Sequence, residues 1–212
     1  MLKVFIEPIE RLIELNSGIN TISIENPQLY RKLYFDLDNS LVFSKDDKII
    51  PSNKIIVVVN PLDPDINSKK NLSILYKSLE ATCEDNEKNE LKEIEAKIIS
   101  LISKITLGFD VGIEFDDELD FNKLFNLMKI RFSDINCVDY LELLINYIKI
   151  IRELTNSGII VFYGLSSLLT NDEYNKLFNE IKLLDVQLLD ICNTKPNTSN
   201  NIILVDEDYC IL

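Results

Sequence analysis

Six carboxylates, Asp110, Glu114, Asp116, Asp117, Glu118 and Asp120, fall within eleven positions, next to Gly108 and Gly112. Hard oxygen ligands crowded into a turn suit calcium, which tolerates irregular coordination by several carboxylates and carbonyls. Asp110, Glu114, Asp116, Asp117 and Glu118 are therefore candidate metal ligands. The spacing is not the DxDxDG of an EF-hand loop. A solvated acidic turn leading into the positive N-terminus of a helix near Leu119 accounts for the same residues.

The cations are fewer. The chain has 22 Lys and Arg against 35 Asp and Glu, a net charge of -13. Phosphate binding is dominated by Lys and Arg, so any nucleic-acid site must be a segregated basic surface. Projected at about 100° per residue, Lys70, Lys77, Lys88 and Lys92 share a sector of roughly 60° beside an apolar stripe, and Lys69 projects onto the stripe. Glu84, Asp85 and Glu95 share or border that sector, and Glu84 can pair with Lys88 across one turn. This leaves Lys70 and Lys77, with Lys69 adjacent, as an uncompensated patch, and Lys129 and Arg131 as a smaller second one. A few lysines on a helix also serve solubility alone.

Other chemistries find little support. Histidine is absent, which removes the commonest general base and every Ser-His or Cys-His nucleophile. Cys83, Cys137, Cys192 and Cys210 form no CxxC pair, so they read as reduced thiols. The five glycines compose neither GxxxxGK[ST] nor GxGxxG, which disfavours a nucleotide hydrolase. No apolar run approaches the roughly 18 residues of a membrane span and the start lacks a signal-peptide pattern, so a cytoplasmic protein without membrane association is expected.

The elements that must position these residues follow from patterning. Val4 to Ile6, Leu12 to Leu15 and Ile19 to Ile24 read as a strand-rich N-terminal edge, and Asn26-Pro27 caps a short helix through Leu33 and Leu37. The run from Lys54 to Asn60 has the continuous apolar character of a strand covered on both faces. A long helical pattern spans Ser68 to about Lys104, with a polar stretch from Glu84 to Glu90 able to bend it. A shorter helix covers Leu119 to Lys129, and Ser133 to Asn136 supplies the next cap. Helix Val138 to Leu154, strand Ile159 to Tyr163, a helix opened by the capping box Thr170 to Glu173, and strand Val186 to Ile191 make a parallel β-α-β unit. Strands around Val57, Val161 and Leu188 are expected at the sheet's centre, with an edge hairpin from Ile202 to Leu212. The chain thus reads as an α/β domain of residues 1–60 and 136–212 around a helical insertion, 61–135.

This order, with the run Glu114-Phe115-Asp116-Asp117, the stretch Tyr147 to Glu173 containing Leu169-Thr170-Asn171-Asp172-Glu173, and the terminal Val205-Asp206-Glu207-Asp208-Tyr209, resembles the Csn2 family of type II-A CRISPR systems. The likeness spans residues 54 to 212. It implies a P-loop-NTPase-like parallel-sheet head without a functional phosphate loop, carrying an inserted α-helical leg domain. It further implies a non-enzymatic homotetrameric ring that binds double-stranded DNA ends during spacer acquisition, with structural Ca2+ and with other CRISPR adaptation and effector proteins as partners. Glu114, Asp116 and Asp117 match the family's acidic run, whereas the spacing differs around Glu118 and Asp120. A coiled-coil oligomeric scaffold without DNA binding is the competing reading. The DNA contacts expected are Lys69, Lys70, Lys77, Lys129 and Arg131.

Overall fold

The computed structural model of the protein describes residues 1–116, 121–133, 137–155, 158–194 and 201–212. The chain divides into two compact units, one of Met1–Ile66 with Asp134–Leu212 and one of Asn67–Ser133.

The first unit is α/β. Strands β1 (Leu2–Ile6) and β2 (Arg11–Leu15) pair antiparallel, and β1 also pairs with β4 (Leu41–Lys45). β5 (Lys48–Ile49) extends this small sheet through a two-residue turn, Asp46-Asp47, in which both residues have positive φ. Such a mirror-image turn matches the twist of a hairpin. The second sheet contains β3 (Ile19–Ile24), β6 (Ile55–Val58), β7 (Ile159–Tyr163), β8 (Gln187–Cys192) and β9 (Ile202–Val205). Its order is β6-β7-β8-β3-β9, and every pairing is parallel.

Between the strands run α1 (Pro27–Phe35), the single turn α2 (Leu37–Ser40), α6 (Tyr140–Thr155) and α7 (Asn171–Leu183). The apolar faces of the two sheets and α1 share one core, with Val4, Phe43, Ile22, Val161, Ile191 and Leu33 fully or almost fully buried. Tyr163 ties α1 to the sheet by donating its hydroxyl to the Leu33 carbonyl at 2.5 Å. The entry into β7 needs Gly158, whose φ is +63° and whose missing Cβ would stand 3.1 Å from the Asp185 carbonyl before β8.

Three expectations for this unit are corrected. β6 lies on an edge of the sheet, and its neighbour β7 is followed inward by β8 and β3. Asn20, Thr21 and Ser23 dilute the apolar pattern of β3 and suggest an N-terminal edge group, yet all six residues of that strand are buried. Asn20 satisfies its amide locally, accepting from the Asn16 N–H at 2.9 Å and donating to the Asn16 carbonyl at 2.8 Å. The C-terminal segment adds β9 in parallel to β3, and its return is a single antiparallel bridge, Val205 to Ile211.

The second unit holds α3 (Lys69–Thr82), α4 (Asp85–Thr106) and α5 (Phe121–Leu127). The single long helix expected here is two. Cys83 and Glu84 are both extended, and Glu84 opens α4 through a capping box in which its N–H donates to Glu87 at 2.8 Å. Glutamate is not among the favoured N-cap residues, so the sequence hides this boundary.

Candidate nucleic-acid interface

In the second unit α3 begins at Ser68, whose hydroxyl accepts from the Asn71 N–H at 3.3 Å. Asn67 fixes the chain that returns after α5, donating to the Phe132 carbonyl at 3.2 Å and accepting from the Phe132 N–H at 2.9 Å. Tyr76, buried on α3, donates to the Ile130 carbonyl at 2.9 Å and meets Phe125 with ring centroids 5.8 Å apart. Two hydrogen-bonded anchors and one aromatic contact therefore hold α5 and the segment that follows it against α3.

An open groove of about 410 Å3 lies between these helices. From α3 it is lined by Lys69, Leu72, Ser73, Tyr76 and Lys77, the i, i+3, i+4, i+7, i+8 pattern of one helical face. From α5 come Asn122, Lys123 and Asn126. Among the described residues no carboxylate lines it.

The cations expected from sequence are thus only partly brought together. Lys69 and Lys77 share the groove, while Lys70, one position round the helix, does not line it. Lys129 and Arg131 are exposed on the segment that Tyr76 and Asn67 pin along α3, outside the groove lining. Lys129 also has a backbone duty. With φ +54° it ends α5 in a left-handed turn, its N–H donating to Asn126 and that of Ile130 to Phe125. This is the pattern in which glycine usually stands. Lys88 and Lys92 sit on α4 beyond the break, so the uninterrupted projection that joins them to Lys70 and Lys77 fails.

Asn122, Lys123 and Asn126 escape a reading that follows one helix at a time. Their signal, a cation and two amides on a single short helix, acquires meaning only when α5 is placed against α3.

Of the acidic residues, Asp110, Glu114 and Asp116 are exposed in the irregular segment after α4. Asp117, Glu118 and Asp120 lie outside the described residues, as do Leu119 and Asp134 to Asn136. Among the described residues no three metal-capable side chains gather.

Among the described residues of the first unit one carboxylate is buried. Asp190 accepts the N–H groups of Leu165 and Ser166, each at 2.8 Å, and so locks the turn after β7 to β8. Burial pushes its pKa upward against the opposing pull of these donors. Burial likewise raises the Tyr140 hydroxyl to about 12 and the Cys192 thiol to about 11, where both stay protonated near neutral pH. The helix starts near the sheet are occupied by their own side chains. Asn26 accepts from the N–H groups of Gln28 and Leu29 at the head of α1, and Thr170 and Glu173 cap α7 reciprocally. α6 starts at Asp139, which accepts from the Glu142 N–H at 2.8 Å.

The family described as CRISPR-associated protein (Cas_Csn2) matches residues 33–209. A CRISPR-associated protein Csn2 from Streptococcus agalactiae is 25% identical over 206 residues, covering 92% of this chain and 91% of that protein. One from Enterococcus faecalis is 26% identical over 190 residues, covering 86% and 84%. Among the described residues no helix is long and apolar enough to cross a membrane.

Proposed function

Because this chain belongs to the CRISPR-associated Csn2 family, we propose that it binds double-stranded DNA ends without regard to sequence, as a homotetrameric ring acting in CRISPR spacer acquisition. The observation that carries this reading is the α3–α5 groove, whose described lining holds three lysines and no carboxylate in a chain of net charge -13. Repeating such a groove around a ring would multiply few lysines into many phosphate contacts while the acidic surface faced solvent. Lys69 and Lys77 bind phosphates in the groove, and Lys70, Lys129 and Arg131 add contacts beside it. Double-stranded DNA, further copies of the chain, and other adaptation and effector proteins are the partners.

The role is non-catalytic. The chain has no histidine, the buried Cys192 thiol and the half-buried Tyr140 phenol are pushed toward their protonated forms, and the starts of α1 and α7 are capped from within. Calcium belongs to the reading as a structural ion. The described carboxylates Asp110, Glu114 and Asp116 do not gather into a site by themselves, so an ion held there requires Asp117 and Glu118.

A second reading is favoured by one observation on α4. Leu91, Ile94, Ile98, Leu101 and Ile105 repeat at spacings of three and four, the seam of a coiled coil. No residue of that helix is buried, so the chain could be an oligomeric scaffold without DNA. Gel-shift titration with linear and covalently closed circular duplexes of one sequence separates the two. Binding of the linear form with steep salt dependence is expected. Equal failure on both forms would leave the scaffold.

A further inference from the structure

We infer that the outward face of α1 is a stacking platform for the last base pair of a duplex, with Phe35 and Tyr34 against the bases and Arg31 on an adjoining phosphate. This rests on the DNA-end reading and names the surface that reads the end.

The phosphates of an end and of an uninterrupted duplex are alike, so cations that contact phosphate do not tell one from the other. What an end adds is the uncovered π-face of its last base pair. A side chain that recognises it must be aromatic, held in place and open to solvent, with positive charge at hand for the backbone.

The nine residues of α1, Pro27–Phe35, hold three aromatics and two cations and no carboxylate, in a chain of net charge -13. Leu29 and Leu33 face the core, whereas Gln28, Arg31, Lys32, Tyr34 and Phe35 are all exposed. At about 100° per residue these five share one side of the helix, and Arg31 stands one turn before Phe35. Lys32 lies 3.7 Å from Glu7, an exposed pair of the kind that contributes little. A single apolar side chain in solvent carries no meaning by itself. Phe35, 81% exposed, is an aromatic set among cations on one helical face.

Its backing is rigid. Tyr34 meets Phe35 edge to face at 5.2 Å and Tyr163 at 5.1 Å, and Tyr163 meets Tyr30 at 6.1 Å. The Tyr163 hydroxyl donates to the Leu33 carbonyl, which fastens the last turn of α1 to β7. Asn26 caps the other end of the helix. A platform fixed before the ligand arrives costs little ordering on binding.

Competition separates end reading from phosphate contact. Fluorescence anisotropy of a blunt duplex labelled at an internal base is followed with the full chain, while unlabelled linear or covalently closed circular duplex of the same sequence displaces it. The parent should favour the linear competitor. Phe35→Ala should reduce affinity for the linear form about five- to a hundredfold, the range of one lost stacking contact, and leave the circular form unchanged. Phe35→Tyr should keep the preference, and Phe35→Leu, apolar without a π-face, should behave as the alanine variant. Arg31→Gln should make the slope of log affinity for linear duplex against log salt shallower by about 0.9. The substituted side chains are exposed, so melting curves should match the parent's. If the parent prefers linear duplex and Phe35→Ala prefers it as strongly, the platform is wrong while the DNA-end reading stands. A leucine variant indistinguishable from the parent would also overturn it, because the contact would then be apolar and not stacking. A parent that binds no duplex, or binds both forms alike, takes the DNA-end reading down with the platform.

Discussion

Replacing Leu101 and Ile105 together by lysine should abolish the self-association proposed for this chain without unfolding α4. Both side chains are 58% exposed in the single chain, and Ile94 is 46% exposed, along a seam of heptad spacing. Full burial of a leucine or isoleucine contributes about 1.5–3 kcal/mol, so each of these two has roughly 1–1.5 kcal/mol still to gain. Two residues on each of two facing copies make about 4–6 kcal/mol. At 1.4 kcal/mol per tenfold, the double variant should weaken self-association by about a thousandfold or more. Lysine is a good helix former, so far-ultraviolet circular dichroism should be unchanged. Sedimentation velocity at micromolar concentration should give a multiple of 24.5 kDa for the parent and the monomer mass for the variant. A parent that already sediments as a monomer refutes the argument. So does a variant that keeps the parent's mass.

Lys69→Glu with Lys77→Glu should weaken duplex binding alike for all sequences and flatten its salt dependence, since phosphate contacts carry no sequence information; an unchanged titration would move the DNA site elsewhere. Calcium should raise Tm by mass action if the native acidic segment binds it, and identical melting in calcium and in chelator would remove Asp110, Glu114, Asp116, Asp117 and Glu118 from the site. Lys129→Gly should stabilise the protein by about 1 kcal/mol, because the left-handed cap no longer strains a side chain; a lower denaturation midpoint would contradict it. Asp190→Asn should cost about 1–2 kcal/mol by leaving one of two buried N–H donors without its acceptor. Since the folded pKa of Asp190 lies above its unfolded value, its protonation favours the fold at low pH and that contribution is lost as pH rises through the folded pKa. The parent's advantage over the asparagine variant should therefore shrink with rising pH in urea titrations, and a widening gap would reverse the sign.

The β-α-β unit is legible in the sequence because its signals are local. Thr170 to Glu173 form the capping box that the spacing announces, and the strands at Ile159 and Gln187 are buried along nearly their whole length. Strand order is not legible, since it depends on pairings of β3 with β8 and β9 that lie far apart in sequence. The hairpin of β4 and β5 is hidden because Asp46-Asp47 lacks the glycine that usually marks a mirror-image turn. In the groove, Lys69 and Lys77 can be found on one helix, but their association with Lys123 depends on Tyr76 and Asn67 holding a separate segment in place.

The position of β3 bears on how the protein is made. Ile19 pairs with Leu188, and Thr21 with Ile202, so a strand from near the start of the chain finds both neighbours only near its end. At about 5–20 residues per second, ribosomal synthesis leaves β3 with both edges unpaired for roughly ten to thirty seconds. Bare strand edges invite pairing with other chains. The nascent protein is thus exposed to aggregation until its last strands emerge, and a chain shortened before residue 187 should engage chaperones and proteases rather than accumulate as a folded fragment.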